Sequence, residues 1–319
     1  MRVIFIGSGD IGIPSLRWLL EHHEVAALVA QPDKPVGRKQ LLTPPPTKPV
    51  AEAHGIPVLQ PRRIREPEAV AAIEALRPEA IIVMAYGQIL PKAVLDAPSL
   101  ACLNLHASLL PRYRGAAPIQ AAVEAGETSS GITVIWMDEG LDTGDCLLER
   151  ALPLRRRETG GSLHDRLALL APAALADALA ALEGGAAPRT PQDAARATLA
   201  PKLSRESGLI DWGATPAEID RRVRAMNPWP AAWTWLPEGG GAPRRLKIFS
   251  VIAHRRLPPH GRPAGEVLRA DERGVLVAAG GGGAILLRDL QMEGKRRMPA
   301  GEWLRGRPVP VGTMLGGQP

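Results

Sequence analysis

The chain has 319 residues, of which 45% are apolar and 23% are charged, so it can build a sizeable core and wholesale disorder is excluded. A chain of this length is expected to form two domains. No apolar run approaches the roughly 20 residues that a membrane helix needs, and the two cysteines cannot build a disulfide framework or a zinc cluster. We therefore expect a soluble, cytoplasmic protein. We also expect a monomer, although the composition does not determine the oligomeric state.

The excess positive charge lies in the C-terminal third of the chain. Residues 1–207 contain 22 basic and 23 acidic side chains, whereas residues 208–319 contain 17 basic and 10 acidic side chains. A basic domain beside a neutral one suggests a polyanionic partner, such as a nucleic acid. The chain has 32 arginines and 7 lysines, a ratio that a G+C-biased genome also produces. The charge distribution alone therefore does not decide between a nucleic-acid partner and an effect of genome composition.

The first half of the chain alternates between apolar strands and amphipathic helices. Strands are predicted at residues 2–6, 25–30, 58–59, 80–85, 102–106 and 132–137. Helices are predicted at residues 13–21, 47–54, 67–76, 116–125 and 162–182. This alternation is typical of an α/β fold with a doubly wound, mostly parallel, Rossmann-like sheet.

The remainder of the chain follows a different pattern. Glycines and prolines interrupt the periodicity after residue 184, so we predict a first domain at residues 1–184 and a linker at residues 185–207. Five short apolar segments then recur between turns, at residues 233–236, 246–253, 265–268, 275–278 and 285–290. Residues 208–319 are therefore predicted to form a small C-terminal β-barrel, and an oligonucleotide-binding (OB)-like barrel fits the strand count.

A glycine-rich loop, Gly7-x-Gly9-x-x-Gly12, lies between the first strand and the first helix. This is the position of a dinucleotide-binding loop, and Asp33 follows the second strand, where an acidic residue can bind a ribose. The loop alone supports a nicotinamide-dependent oxidoreductase, which we keep as a remote alternative. The other interpretation is a tight turn in which the glycines only relieve backbone strain.

A second set of polar residues points to different chemistry. Asn104 and His106 are two residues apart at the end of a buried strand, so their side chains share one face, and the 138–145 loop brings Asp142 to the same edge. The amide can hold a carbonyl oxygen that becomes an oxyanion, and the imidazole can donate to it or move a proton. The carboxylate can orient the histidine or take a proton through water. This set suits direct acyl transfer, since no serine or cysteine has a base at motif spacing.

The motifs around these residues resemble those of the 10-formyltetrahydrofolate-dependent formyltransferases. They are Asn104-Leu-His106-Ala-Ser-Leu-Leu-Pro111, then Arg114-Gly-Ala-Ala-Pro118, and Leu141-Asp142-Thr-Gly-Asp145. The resemblance implies that Asn104, His106 and Asp142 are catalytic. It also implies a set of folate-binding residues: Ser108, Leu109, Leu110 and Pro111, with Ile89, Leu90, Gly140 and Leu141 lining the pterin pocket.

The same resemblance implies a reaction and its partners. A formyl group would pass from N10 of 10-formyltetrahydrofolate, the co-substrate, to the α-amine of methionine on initiator tRNA, a step of translation initiation, with no metal required. A sugar-nucleotide or other small-molecule N-formyltransferase would share the catalytic motif and is the alternative. A non-enzymatic RNA-binding module with a vestigial α/β domain is a further interpretation.

Candidate tRNA contacts lie in both halves of the chain. Residues 33–49 are predicted to form an extended proline-rich loop that in the family reaches the acceptor stem, unless it is only a solvated flexible loop. Its basic residues are Lys34, Arg38, Lys39 and Lys48, of which Arg38 and Lys39 are the best candidates. In the barrel, Arg244-Arg245-x-Lys247 and Lys295-Arg-Arg297 are candidate phosphate sites, with Arg245 and Lys247 chosen first. An arginine-rich solvated face is the other interpretation of those residues.

Overall fold

The computed structural model describes residues 1–37, 39–238, 241–254 and 261–317. Arg38, a predicted tRNA contact, lies outside the described residues. The chain forms two compact units, of which the first comprises Met1–Pro118, Ser129–Leu154 and Leu163–Pro201, and the second Ile119–Thr128, Arg155–Ser162 and Lys202–Pro319. The division into a domain at residues 1–184, a linker and a domain at residues 208–319 stays a prediction.

The strands and helices are numbered in chain order. The strands are β1 (Arg2–Ile6), β2 (Glu24–Val29), β3 (Lys34–Val36), β4 (Leu41–Thr43), β5 (Val58–Leu59), β6 (Ala80–Val83), β7 (Ala101–His106), β8 (Arg114–Gly115), β9 (Ser129–Trp136), β10 (Cys146–Pro153), β11 (Leu199–Ala200), β12 (Ala232–Glu238), β13 (Gly241–His254), β14 (Val267–Asp271), β15 (Gly274–Ala278), β16 (Ala284–Met292) and β17 (Met298–Pro299). The helices are α1 (Ile13–His22), α2 (Lys48–Ala53), α3 (Pro67–Ala75), α4 (Lys92–Leu95), α5 (Pro118–Ala125), α6 (Gly160–Glu183), α7 (Pro216–Ala225) and α8 (Ala300–Gly306).

The first unit is built on a seven-stranded sheet in the order β10-β9-β7-β6-β1-β2-β5. The five strands from β7 to β5 are parallel, and β9 and β10 add an antiparallel edge. β6 and β7 are buried along their whole length, which is why their sequences are continuously apolar apart from the two polar residues near the end of β7. The predicted mostly parallel α/β sheet is therefore confirmed.

Strand β7 positions the first two polar residues of interest. Asn104 is level with Val83, the last residue of β6, and His106 ends β7 opposite Thr133 of β9. Cys102, two residues before Asn104, belongs to the apolar core on one face of the sheet. Because side chains alternate along a strand, Asn104 and His106 continue this face beyond the core, toward the edge where the parallel strands end.

Helix α6 begins earlier than the sequence suggested. The predicted first residue was Ser162, but α6 begins at Gly160 and Thr159 caps it: the Ser162 N–H donates to Thr159 Oγ1 at 3.0 Å, and the Thr159 N–H donates to Ser162 Oγ at 2.9 Å. These reciprocal bonds satisfy N–H groups that a helix start leaves unpaired. Pro172 lies inside α6 and does not end it.

The second unit contains a five-stranded antiparallel sheet in the order β12-β13-β16-β15-β14, with β17 paired to β16. All five strands predicted for the small C-terminal β-domain are present. A capping box begins α7, because Thr215 and Glu218 bond reciprocally to each other's backbone N–H groups. Among the described residues, no helix combines the length and the apolar character needed to cross a membrane.

Candidate active site

Asn104, His106 and Asp142 meet in the first unit, as the sequence predicted. The Asn104 Nδ2 group donates to Asp142 Oδ1 at 3.2 Å, and His106 Nδ1 lies 3.6 Å from Asp142 Oδ2. Asn104 is 9% exposed and His106 is 5% exposed. Burying two polar side chains costs free energy unless they find partners, and the Asp142 carboxylate beside them is such a partner, so this cluster is the candidate site.

The second ring nitrogen of His106 determines how the first can act. His106 Nε2 lies 2.9 Å from the backbone oxygen of Tyr113. A carbonyl oxygen can only accept, so Nε2 carries the proton and, in the neutral ring, Nδ1 is the basic nitrogen. When Nδ1 takes up a proton, it faces the Asp142 carboxylate, which stabilises the imidazolium. The geometry thus leaves Nδ1 as the ring nitrogen that can accept a proton, beside the Asp142 carboxylate.

The Asp142 carboxylate is fixed by two donors. The Gly115 N–H donates to Oδ2 at 2.8 Å, and Asn104 binds Oδ1. Asp142 has a φ of 52°, in the left-handed region that aspartate tolerates better than most residues. The loop geometry thus points this carboxylate back toward the end of β7.

Gln192 holds the loop that carries Asp142. Its Nε2 group donates to the Asp142 backbone oxygen at 2.8 Å and to that of Gly144 at 2.7 Å. Its Oε1 accepts from Arg114 Nε at 3.1 Å and from Nη2 at 2.7 Å. Both ends of the Gln192 amide are therefore used to connect the Asp142 loop to Arg114, in the segment that follows β7.

Sequence reasoning missed Gln192, Tyr113 and Gly115. Tyr113 and Gly115 contribute only backbone atoms, which residue types do not report. Gln192 lies in the segment interpreted as a linker, and nothing in its neighbourhood marks it as a partner of a residue 50 positions earlier. Its position after Pro191 gives no signal that could have been used.

Asn104 also has donor capacity that the fold does not use. An asparagine amide has two N–H bonds, and one of them goes to Asp142. Within the described residues, no further hydrogen bond is made by this amide. The second N–H can therefore donate to a carbonyl oxygen that gains negative charge during acyl transfer.

The predicted folate-binding run after β7 is mostly built into the fold. Ser108 is buried and its Oγ donates to the Arg112 backbone oxygen at 2.7 Å, while the Leu110 N–H donates to Thr133 Oγ1 at 3.1 Å. Leu109 and Pro111 are half-buried. These bonds fix the loop beside the cluster, and the contact of this run with folate stays a prediction.

Two of the residues predicted to line the pterin pocket expose large apolar side chains. Ile89 is 77% exposed and Leu141 is 55% exposed, whereas Leu90 is buried in the core and the Gly140 N–H is bonded to Asp138. A cleft of about 490 Å³ opens on the same part of the first unit and includes Cys102, Met137, Asp138 and Glu139. Ile89, Leu90, Gly140 and Leu141 are not among the residues that line this cleft.

Burial makes Cys102 unsuited to nucleophilic catalysis. Removal from water raises the pKa of its thiol to about 12, and its Sγ contacts Met137 Sδ at 3.8 Å. A thiol is nucleophilic only when ionised, so Cys102 serves packing. This agrees with direct transfer without a covalent enzyme intermediate.

The glycine loop at the end of β1 is bonded to its own chain. The Gly7 N–H donates to the Val29 oxygen at 3.0 Å, and the N–H groups of Ser8 and Gly9 donate to the Ala85 oxygen at 3.2 Å each. A Cβ on Gly7 would lie 2.4 Å from the Met84 oxygen. The glycines therefore allow close packing of two loops, which is the interpretation that needs no nucleotide.

Asp33, the candidate ribose ligand, is also engaged. Gln60 donates to Asp33 Oδ1 at 2.7 Å and Lys48 Nζ lies 3.0 Å from Oδ2. These hydrogen bonds from Gln60 and Lys48 lower the pKa of the Asp33 carboxyl. The features that suggested a nicotinamide cofactor are thus explained by contacts within the chain.

The residues predicted to contact tRNA differ in their exposure and in whether they are paired with a carboxylate. The prediction of an extended loop is wrong for residues 34–36 and 41–43, because these residues form the paired antiparallel strands β3 and β4 of a short hairpin. Lys34 and Lys39 are exposed on this hairpin, whereas Lys48 is paired with Asp33. In the second unit, Arg245 lies over the ring of Trp233 at 4.4 Å and pairs with Glu206 at 3.9 Å, and Lys247 is half-buried on β13.

Comparison with known sequences agrees with this geometry. Residues 1–179 match the family model described as formyl transferase, and residues 202–308 match that of the formyl transferase C-terminal domain. The methionyl-tRNA formyltransferase of Methylacidiphilum infernorum is 47% identical over 99% of this chain and 98% of its own. That of Geobacter sulfurreducens is 46% identical over 99% of this chain and 97% of its own.

Solved structures share the fold at low sequence identity. HypX from Aquifex aeolicus, solved in complex with tetrahydrofolic acid, has a TM-score of 0.58 at 20% identity and covers all of this chain. This chain spans only about half of HypX, 51% of its length. The N-formyltransferase from Helicobacter canadensis, solved with folinic acid and dTDP-3-aminofucose, has a TM-score of 0.64 at 16% identity, covering 91% of this chain and 98% of its own.

The fold, the polar cluster and the two family matches define a class: this is a formyl-transferring enzyme. The chain belongs to the formyl transferase family. Within that family, relatives of matching length at 44–47% identity place it among the methionyl-tRNA formyltransferases.

Proposed function

We propose that this protein transfers the formyl group of 10-formyltetrahydrofolate to the α-amino group of methionyl initiator tRNA, acting as a cytoplasmic monomer without a metal ion. The observation that carries the proposal is the cluster of Asn104, His106 and Asp142 in a chain that matches its curated relatives over almost their whole length.

Each member of the cluster has a defined task in this reaction. The α-amine attacks the formyl carbon only when neutral, and an unperturbed α-amine titrates near pH ~7.7–8.0, so free amine is available. The new C–N bond converts the formyl oxygen into an oxyanion, which the free N–H of Asn104 stabilises. His106 Nδ1 accepts the proton that the amine loses, and Asp142 holds the resulting imidazolium.

The second half of the reaction returns that proton. As the tetrahedral intermediate collapses, the bond between the formyl carbon and N10 breaks and N10 must gain a proton. Protonated His106 supplies it, so the ring is neutral again at the end of the cycle. Electrons and protons balance without a redox partner or a covalent bond to the enzyme.

The donor site is proposed around the exposed apolar side chains near the cluster. Ile89 and Leu141 are large apolar groups that face solvent in loops after β6 and after β9, where a flat pterin ring would cover them. Gly140, next to Leu141, lets the loop pack tightly, because a Cβ there would lie 1.9 Å from Thr143 Oγ1. The segment Ser108–Pro111 is held against β9, because the Leu110 N–H donates to Thr133 Oγ1 and this hydroxyl donates to the Ser108 oxygen.

The acceptor proposal rests on the β3–β4 hairpin and on the charge of the C-terminal part. The hairpin exposes Lys34 and Lys39 together with Val36, Leu41 and Leu42, so it offers cations for phosphates and apolar groups for bases. A sugar-nucleotide substrate would use neither feature. The full-length relatives, which are methionyl-tRNA formyltransferases, favour tRNA over the sugar alternative.

One assay tests the reaction and the substrate class together. The protein is mixed with 10-formyltetrahydrofolate and methionyl initiator tRNA, and the tRNA-linked methionine is analysed for a blocked amino group. In parallel, dTDP-3-aminofucose replaces the tRNA, and EDTA is added to a third sample. We expect N-formylmethionine on tRNA, no product from the sugar nucleotide, no effect of EDTA and steep inhibition by added salt.

The His106→Ala variant is the matched control for that assay. It should bind tRNA like the wild type and give no formylated product above background. Equal turnover of the aminosugar, or turnover that does not respond to salt, would replace the tRNA proposal by the small-molecule alternative.

A further inference from the structure

Three consecutive arginines, Arg155-Arg156-Arg157, lie in the segment between β10 and α6 and take no part in the site described above. All three side chains are exposed, and their segment belongs to the second compact unit. Within the part of the chain that the structure describes, none of the three guanidinium groups is paired with a carboxylate. The three arginines outnumber the one carboxylate of this turn, that of Glu158, whose Oε2 accepts from the Arg155 N–H.

The backbone beneath these arginines is held firmly. The Glu158 N–H donates to the Arg155 oxygen at 2.9 Å, and the Arg155 N–H donates to Glu158 Oε2 at 3.0 Å, which closes a tight turn. Glu158 is buried, and its backbone oxygen accepts from Arg224 Nη1 of α7 at 2.9 Å. Cations presented from a fixed turn lose less conformational entropy on binding than cations on a flexible tail.

Three of the arginines predicted from sequence as phosphate sites in this unit are already paired with carboxylates. Arg245 pairs with Glu206 and lies over Trp233, and Arg297 Nε donates to Asp289 at 2.7 Å while its guanidinium lies over Phe249. Arg244 lies 3.5 Å from Glu238. A paired guanidinium must give up its carboxylate to bind a phosphate, so Arg155, Arg156 and Arg157 are stronger anion-binding groups than these three paired arginines.

One contact places the arginine run against a strand of the same unit. Arg157 Nη2 lies 3.5 Å from the Val251 oxygen of β13. Lys247 precedes Val251 by four residues on β13, a distance of roughly 13 Å along an extended strand. Arg157 and Lys247 are therefore two cations on neighbouring parts of one unit, and their separation exceeds the spacing between neighbouring phosphates in a nucleic acid.

We propose that Arg155, Arg156 and Arg157 form a phosphate-binding surface for the body of the tRNA, continued along β13 by Lys247. The inference rests on the proposed function, because it takes tRNA as the substrate. The proposed surface adds contacts to phosphates, which depend on charge and not on the nucleotide sequence. The surface contributes to capture of the tRNA and leaves the chemical step unchanged.

The test compares a double variant with a charge-matched control. Arg155→Gln plus Arg156→Gln removes two cations from the turn, and Arg17→Gln plus Arg77→Gln removes two exposed cations from the first unit. The affinity for initiator tRNA is measured by fluorescence anisotropy between about 50 and about 200 mM KCl. We expect the first pair to weaken binding roughly tenfold at the lowest salt and to make the slope of log affinity against log salt shallower by about 1 to 2.

Turnover measurements separate this surface from the catalytic cluster. The double variant should have a raised KM for tRNA and an unchanged kcat, and Arg155→Lys plus Arg156→Lys should recover most of the affinity, because lysine keeps the charge. The control pair should behave like the wild type. Far-UV circular dichroism and urea midpoints check that every variant is folded.

The outcomes also separate the surface from the proposed function. If the wild type formylates tRNA but the double variant keeps the wild-type salt slope, or if the control pair loses as much affinity, the surface is overturned and the function stands. If the wild type binds tRNA with the expected slope change in the variant but never formylates it, the proposed function fails and the phosphate surface is supported.

Discussion

The ends of β1 and β7 both carry motifs that suggest a ligand site, and the fold uses them in opposite ways. At the end of β1, the N–H groups of Gly7, Ser8 and Gly9 are bonded to oxygens of neighbouring strands and loops. At the end of β7, Asn104 donates to Asp142 and has a second amide N–H for a substrate, and His106 Nδ1 lies 3.6 Å from the same carboxylate.

This difference shows what each kind of motif reports. A glycine spacing describes a backbone shape, and a backbone shape can serve tight packing as well as phosphate binding. A set of buried polar side chains costs free energy, so its presence needs an explanation in chemistry or in structural pairing. The polar motif is therefore the better guide to function in this chain.

The substitution with the largest expected effect tests whether the end of β7 carries out the chemistry. His106→Ala removes the base at the end of β7, and we expect kcat to fall by about 10² to 10⁴ while the Kd for tRNA changes little. The measurement is formylation at saturating donor and tRNA, with tRNA binding followed separately. A large loss of thermal stability together with lost binding would show that His106 is structural and would remove the contrast with β1.

A substitution at the end of β1 should instead affect folding. In Gly7→Ala the new Cβ would lie 2.4 Å from the Met84 oxygen and 2.8 Å from Phe5, so we expect a loss of about 1–3 kcal/mol in the free energy of unfolding. Urea titration measures this loss. Gly12→Ala is the control, since its nearest contact is a Phe5 ring atom at 3.0 Å and its cost should be smaller.

One outcome for Gly7→Ala would contradict a packing role for the glycine loop. A variant with native stability and abolished turnover would mean that the glycine loop binds a substrate or cofactor. Retained kcat in the folded fraction, with no binding of nicotinamide nucleotide by the wild type, supports a packing role.

A milder effect is expected from the residue that positions Asp142. Gln192→Ala frees the backbone oxygens of Asp142 and Gly144 and leaves Arg114 without its amide partner. We expect kcat to fall by about tenfold, because a loosened carboxylate stabilises the imidazolium less well. The pH–rate profile should change shape as well, which a purely structural role would not cause.

The control for Gln192 is Gln291→Ala, which removes a side chain that donates to the Lys295 oxygen of the second unit at 2.8 Å. It should leave kcat and the pH–rate profile unchanged. Equal effects of the two substitutions would show that Gln192 has no special role in positioning Asp142.

The smallest expected effect concerns the two cysteines. Burial raises the pKa of Cys102 to about 12 and that of Cys146 to about 11, so at pH 8 only about 10⁻⁴ and 10⁻³ of each thiol is ionised. Iodoacetamide should modify neither during a treatment that alkylates glutathione fully, and mass spectrometry detects any adduct. The thiolate fractions rise about tenfold per pH unit, so slow modification should begin only well above pH 9.

A different result would change the mechanism. If Cys102 were alkylated at pH 8 and the formyl donor protected it, a covalent step at the end of β7 would have to be considered. Unmodified thiols together with full turnover after treatment support direct transfer.

The sequence predicted the parts of the fold that rest on local patterns. β6 and β7 were found because strands buried on both faces are continuously apolar, and Asn104 and His106 were placed together because side chains alternate along β7. β10 was missed because Glu149 and Arg150 interrupt its apolar pattern at the edge of the sheet. The β3–β4 hairpin was missed because prolines surround it.

The rest of the site depends on distance in space and not on residue type. Gln192 is 50 residues from Asp142, and its role follows only from two backbone oxygens that the fold brings to it. Tyr113 and Gly115 act through peptide groups that every residue has. No pattern in a single sequence reports such groups.

The path of the chain has a consequence for how the protein can be divided. Residues 119–128 and 155–162 come from the first half of the sequence, yet they belong to the second compact unit, where Glu124 pairs with Arg222 and the Glu158 oxygen accepts from Arg224. A fragment cut after residue 201 would keep these two segments but lose the side chains that cover them. The two halves are therefore interwoven, and expressing either one alone would yield an incomplete, aggregation-prone product.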